Sequence, residues 1–179
     1  MPKKCREGQA AVWSQETFEA VLNQLPMPHK LIFAICGYTG CRISEARQLC
    51  AGDVGKADIH FRRAIVKGKD HSRSVPICHR LGELLAQYEL PTSGYLFPGR
   101  HRGQPITRVA CDQALRRACS VLGLEGYSTH SCRRSWATRL DKAGVRLKAI
   151  AALGGWASLE NLGRYLDVDE GELRAAVEV

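Results

Sequence analysis

The chain has 179 residues and a formal net charge of +8, with 45% apolar and 25% charged residues. These figures fit one globular domain with a buried core, exclude a disordered chain, and make a polyanion the first partner to consider. The longest apolar run, Leu31 to Cys36, is far too short to span a bilayer, and "MPKKCREGQ" leads into no signal-peptide core, so the expected location is cytoplasmic with no membrane partner.

A single domain is expected over 1–179, with a basic N-terminal arm at 1–12 and an acidic C-terminal tail at 169–179. "SQETFEAVLNQL" (14–25) predicts a helix with Ser14 as N-cap and Glu16 in its first turn, ended by Pro26 and Pro28. "HKLIFAICGYTG" predicts a second, largely buried helix closed by glycine, and "RISEARQLC" a third, entered through the turn "YTGC". After Asp53 the character changes. "DIHFRRAIVKG" and "SRSVPI" carry β-branched and aromatic residues in partial alternation, which predicts a small hairpin or three-stranded sheet. Helical periodicity returns at 80–90, 107–122 and 129–143, with Gly123 and Gly144 as C-caps, and "VRLKAIAALGG" and "SLENLGRYLDV" read as two further short helices. The expected fold class is α+β and mostly α-helical: a helical bundle with a small antiparallel β-sheet inserted after the third helix.

The 8 cysteines contain no C-x-x-C pair, which argues against a zinc site or a redox dithiol. Several lie in apolar stretches, where a reduced thiol acts as a small hydrophobe. Positive charge is concentrated: Arg62, Arg63, Lys67, Lys69 and Arg73 surround a single acid, Asp70, while the tail "LDVDEGELRAAVEV" reverses the sign. A basic body with an acidic tail suggests that the tail docks on a basic surface, its own or a neighbour's.

The helix beginning "STHSCRRSW" crowds His130, Arg133 and Arg134 into its first turns, where the helix dipole already disfavours cations. An anion bound there would explain the arrangement. His130 and Arg133 stand at i and i+3 and so leave one helix face; a surface helix with a capping histidine is the plainer reading of the same residues. Arg134 points elsewhere, as a backbone contact or a solvated residue. Arg42 follows a glycine turn, with Glu45 on the next turn. Such a pair is structural, and it also orients a guanidinium fork toward a ligand. Lysines at the tip of "IVKGKDHSRSVPI" can extend over a ligand or simply protect a sheet edge. Trp156 and Tyr165, taken alone, read as core packing and a half-buried helical aromatic.

In order, the segments T-G-x-R-x-S-E (39–45), a basic β-turn followed by R-x-V-P (73–76), H-x-x-R-R-x-x-A-T (130–138) and L-G-G-W…R-Y (153–165) resemble the tyrosine recombinases, the family of phage integrases and chromosome-dimer resolvases. The resemblance runs from about Trp13 to Val168 and implies that family's catalytic-domain fold. It implies strand breakage and rejoining in double-stranded DNA, for integration and recombination, through a 3′-phosphotyrosyl intermediate. Arg42 and Arg133 match the arginines that clamp the phosphate, Tyr165 the nucleophile, and His130 the base or phosphate donor. Lys69 matches the general acid, with Lys67 as the alternative. Trp156 stands where most members carry His; its indole donates a hydrogen bond but carries no proton. Neither a carboxylate cluster with metal-binding spacing nor a G-x-x-x-x-G-K-[ST] motif is apparent, so the expectation is no metal and no cofactor.

Most members carry a helical core-binding domain before the catalytic one; only a dozen residues precede the first helix here, so that domain is expected to be absent and DNA binding to be weak and strongly salt-dependent. Gly163, two residues before Tyr165, the charge of the acidic tail and the exchange of C-terminal segments that the resemblance implies together suggest a Tyr165 segment that swings out onto a neighbouring protomer. Self-association on DNA, from dimer to tetramer, is therefore expected through the C-terminal segment. Two other functions compete: a type IB topoisomerase-like nicking-closing enzyme and a non-catalytic regulator descended from a recombinase.

Overall fold

Helix α1 (Gln15–Gln24) starts as its sequence predicts: the Thr17 N–H donates to Ser14 Oγ at 3.1 Å, and Phe18, Val21 and Leu22 form the buried face. The computed structural model describes residues 10–66, 68, 71–166 and 170–178. Helix α2 (His29–Thr39) is buried continuously from Leu31 to Gly37, as expected of a helix that is apolar all round, and it forms the centre of the main core. It ends at Gly40, whose φ of +67° suits glycine. A Cβ there would also come within 2.3 Å of the Trp136 ring.

The third helix is shorter than expected. Helix α3 (Ile43–Ala46) is a single turn. The rest of "RISEARQLC" is captured by a distant loop: the Leu96 N–H donates to the Leu49 carbonyl at 2.7 Å, the Ala51 N–H donates to the Gly94 carbonyl, and Cys50 bridges Tyr95. The Gln48 and Leu49 N–H groups still close three-residue turns onto Glu45 and Ala46, and from Leu49 onward the backbone pairs with that loop.

The sheet among the described residues is two-stranded and antiparallel, with β1 (Asp58–Phe61) paired to β2 (Arg73–Pro76) and Phe61 opposite Arg73. Ile59, Phe61 and Val75 face the core. The first strand stops at Arg62, whose Nε donates to both Asp53 oxygens at 2.7 and 2.9 Å, so the backbone leaves the ladder for a 3₁₀ turn at Arg63–Ile65.

Helices α4 (His79–Ala86), α5 (Arg108–Val121) and α6 (Thr129–Lys142) follow close to their expected bounds. Leu122 and Ala143 are the C-caps, and Gly123 and Gly144 take the left-handed positions one residue later. Helix α7 (Leu147–Gly154) closes on Gly155 at φ +68°. Helix α8 (Leu159–Gly163) is shorter than "SLENLGRYLDV" predicts: the Tyr165 and Leu166 N–H groups close three-residue turns onto Leu162 and Gly163. Tyr165 therefore sits just beyond the helix. The acidic tail contains a helix, α9 (Glu170–Ala176), where no helix was expected.

A second, smaller core joins Trp136, Ala137, Ile150, Ala151, Trp156 and Leu162, with Tyr165 packed against it. Cys36, Cys41, Cys111, Cys119 and Cys132 are free thiols buried in the main core. Burial pushes Cys111 and Cys119 up to about 11, so they behave as the small hydrophobes anticipated. No helix among the described residues is long and apolar enough to cross a membrane.

Candidate active site

The glycine turn at the end of α2 delivers Arg42 to the N-cap of α3. Its backbone N–H donates to Glu45 Oε2 at 3.0 Å and its Nη1 donates to Oε1 at 3.1 Å. Arg42 remains 24% exposed while the Glu45 carboxylate is fully buried. Glu45 also accepts from Arg73 Nη2 at 2.6 Å. Burial raises the Glu45 carboxyl, but Arg73 and then Arg42 outweigh it, and the group titrates below its ordinary value.

Arg73, the first residue of β2, reaches across from the sheet. Its Nε donates to the Leu153 carbonyl at 2.9 Å, and its guanidinium lies 4.4 Å from the centroid of Phe61. One cation thus links β2, α3 and the end of α7.

Helix α6 begins at Ser128, whose Oγ accepts from the His130 N–H at 3.3 Å. His130 is exposed, and Arg133, one turn further along, is only 1% exposed. Arg133 Nη1 donates to the Gly40 and Gly154 carbonyls, each at 2.5 Å. Its Nε and Nη2 are buried without a hydrogen-bond partner among the described residues. Burial first, and the charge of Arg42 next, pull Arg133 down to about 9, so it is still a cation at neutral pH. Arg134 does point elsewhere, but it is buried rather than solvated, and its Nη1 holds the Ala10 carbonyl at 2.9 Å.

The aromatic wall is made by Trp156 and Tyr165. Trp156 stacks on Trp136 (6.1 Å, 11° between planes) and meets Tyr165 edge-on (5.4 Å, 75°). The Arg133 guanidinium lies 3.5 Å from the Trp156 ring centroid and 5.9 Å from that of Tyr165. The plainer reading of Trp156 also holds, since it fills the second core. Its Nε1 is nevertheless a buried donor without a partner among the described residues.

Residues 14–172 match the phage integrase family. The chain belongs to the phage integrase family. The tyrosine recombinase XerC of Bradyrhizobium diazoefficiens is 33% identical over 153 residues, covering 79% of this chain and 46% of that protein. XerC of Rhodospirillum centenum is 31% identical over 190 residues, covering 99% of this chain and 54% of that one. The chain spans about half the length of these curated relatives. Among solved structures, the XerH site-specific recombinase bound to palindromic difH substrate matches with a TM-score of 0.75 and 24% identity, over 94% of this chain and 52% of that one. The catalytic domain of bacteriophage HP1 integrase matches with a TM-score of 0.65 and 21% identity, over 95% of both chains. The fold is that of tyrosine recombinase catalytic domains, a helical body with a small antiparallel sheet.

In this integrase-family chain, Arg42 and Arg73 share the Glu45 carboxylate, Arg73 and Arg133 hold the consecutive Leu153 and Gly154 carbonyls, and Arg133 lies against Trp156 and Tyr165. His130 lies one helical turn before Arg133, on the exposed end of α6. Lys69 and its alternative Lys67 lie outside the described residues. Their described neighbours Val66, His71 and Ser72 line a cavity of about 150 Å³ together with Arg73, Gly155 and Trp156. Among the described residues no group of three or more His, Cys, Asp or Glu side chains is arranged to hold a metal. Sequence reasoning missed Arg73 as part of the site, although R-x-V-P contains it. Nothing local in that motif distinguishes a strand arginine at a sheet edge from one aimed inward.

Proposed function

We propose that this chain is the catalytic part of a site-specific DNA recombinase, working on double-stranded DNA in integration or recombination. The observation that carries the reading is Arg133: a buried guanidinium hydrogen-bonded, among the described residues, to two carbonyls alone, with Nε and Nη2 left unpaired and the charge of Arg42 acting on it. Burying a cation without a directly bonded counter-ion is costly, and a phosphate oxygen would complete it.

In the proposed reaction Tyr165 Oη attacks a DNA phosphorus. A bond forms from the phenol oxygen to phosphorus, and the bond to the 5′ oxygen breaks, leaving a 3′-phosphotyrosine and a 5′-hydroxyl. Charge growing on the non-bridging oxygens is met by Arg42 and Arg133; donors of this kind contribute about 10²–10³ in rate each. A phenol with a pKa near ~10 needs a base or a positive field, which His130 and the arginines supply. Trp156 Nε1 donates to the phosphate, and Lys69 protonates the departing 5′ oxygen. The covalent link stores the bond energy, so rejoining is the reverse attack by a 5′-hydroxyl and calls for no ATP.

Support for DNA as the partner comes from the +8 charge and from relatives: XerH was solved bound to its difH substrate, and the Tn1549 transposon integrase was solved with transposon right end DNA. We assign 14–172 to one catalytic domain and the acidic C-terminal segment to contacts between protomers on DNA.

The test is a pool of nicked duplexes of random sequence, in which cleavage beside the nick traps the protein covalently. Recovery of denaturation-resistant adducts from wild type and none from Tyr165→Phe is the expected result. Wild-type protein that binds the pool but yields no adduct would identify a non-catalytic DNA-binding descendant instead.

A further inference from the structure

We propose that Arg73 is a positioning residue for both site arginines, acting on Arg42 through Glu45 and on Arg133 through the Leu153–Gly154 segment. The inference rests on the recombinase reading above and assigns a role within that same site.

Two nitrogens of the Arg73 guanidinium are hydrogen-bonded. Nη2 donates to Glu45 Oε2 at 2.6 Å and Nε donates to the Leu153 carbonyl at 2.9 Å, while Nη1, buried without a hydrogen-bond partner among the described residues, faces Gly155, where an added Cβ would come within 2.8 Å of it. The Phe61 ring, opposite in the β-ladder, holds the guanidinium plane at 4.4 Å. The side chain is only 10% exposed, so it is a fixed bracket and not a surface cation.

The bond to Oε2 matters for Arg42. A guanidinium and a carboxylate left to themselves form a two-bond fork that uses both oxygens. Here Oε2 is occupied by Arg73 and by the Arg42 backbone N–H, so the Arg42 guanidinium meets Glu45 only through Nη1 and Oε1. Arg73 therefore keeps Glu45 from taking Arg42 completely, and the rest of the fork stays available to a phosphate.

The bond to Leu153 matters for Arg133. Leu153 and Gly154 are consecutive at the end of α7; Arg73 holds the first carbonyl and Arg133 the second. The left-handed Gly155 and then Trp156 follow directly. Fixing the Leu153 peptide thus sets the anchor of Arg133 and the approach of the indole beneath it. Lysine has its three donors on one nitrogen and no planar group, so it can keep the Glu45 pair but lacks the fork that reaches Glu45 and the Leu153 carbonyl from separate nitrogens while lying over Phe61.

The test uses the full chain and a nicked duplex recovered from the random pool. Arg73→Lys is expected to lower the single-turnover cleavage rate by about 10- to 100-fold, with DNA affinity within about threefold of the parent and the thermal melt still cooperative. In Arg73→Ala the released Glu45 closes on Arg42 with both oxygens. Adding Glu45→Gln to that variant should then recover rate by about threefold or more, whereas a purely structural role makes the second loss additive or worse. A readout independent of cleavage is the Nε–Hε NMR resonances of Arg42 and Arg133, expected to move in Arg73→Lys while the amides of α1 stay in place. Cleavage by Arg73→Lys within about threefold of wild type, or unmoved resonances, would overturn the proposal. Absence of any wild-type adduct would defeat the recombinase reading alone, and the resonances would still decide the role of Arg73.

Discussion

The guanidinium of Arg133 lies 3.5 Å from the ring centroid of Trp156, and that indole is in turn stacked on Trp136 at 6.1 Å. A buried cation rests on a two-ring platform that belongs to the second core. Packing and electrostatics at this point are the same structure, so substitutions here separate the two functions of Trp156.

Trp156→Phe keeps an aromatic face under Arg133 and loses only the Nε1 donor; a cleavage loss of about tenfold with a nearly unchanged melt is expected. Trp156→Ala removes the platform and should cost about 3–5 kcal/mol of stability. Denaturant unfolding beside single-turnover cleavage separates the two effects. Equal melts for both variants would show that the indole carries no packing.

Gly154 has no room for a side chain, because an added Cβ would come within 1.9 Å of the Trp156 ring. Gly154→Ala should therefore destabilise by about 1–3 kcal/mol and shift the tryptophan emission as Trp156 is displaced. Emission identical to wild type would contradict the packing described.

Glu45 ties stability to pH. Its folded pKa lies below the ordinary value of 4.5, so its contribution is fully present above about pH 4.5 and is lost as pH falls through the lowered folded value. Glu45→Gln should be less stable than wild type at neutral pH, and the gap should narrow on acidification. Denaturant midpoints across that range measure it; a gap constant with pH would mean the carboxylate charge contributes nothing.

Arg134 holds the chain entry: its Nη1 takes the Ala10 carbonyl, while the neighbouring Ser135 Oγ accepts from the Trp13 N–H at 2.7 Å. Arg134→Ala should cost about 1–3 kcal/mol and speed hydrogen exchange at Ala11 and Trp13. Unchanged exchange there would remove Arg134 as the anchor.

DNA affinity should fall steeply with salt, by about 10³ or more between 50 and 200 mM, if several of the basic side chains neutralise phosphates. Filter binding measures the slope, and a flat one would argue against a phosphate-dominated interface.

The elements whose signals are local were legible. Ser14 capping α1, the all-round apolar α2, the α5 and α6 spans and the glycine turns each depend on residues a few positions apart, where propensity, capping and periodicity act. The order of motifs also pointed to the family, which the match over 14–172 establishes.

What local patterns could not reveal is written in distant pairs. Helix α3 ends early because Leu49 is bonded to Leu96, and Tyr165 leaves α8 while packing against Trp156. Arg73 looks from sequence like one more cation in a basic run, yet it joins Glu45 to Leu153. A helix signal repeats every few residues and can be read in a line. A carboxylate shared by two arginines, or a cation buried against an indole, depends on where separate segments meet, and burial then fixes how strongly the charges act.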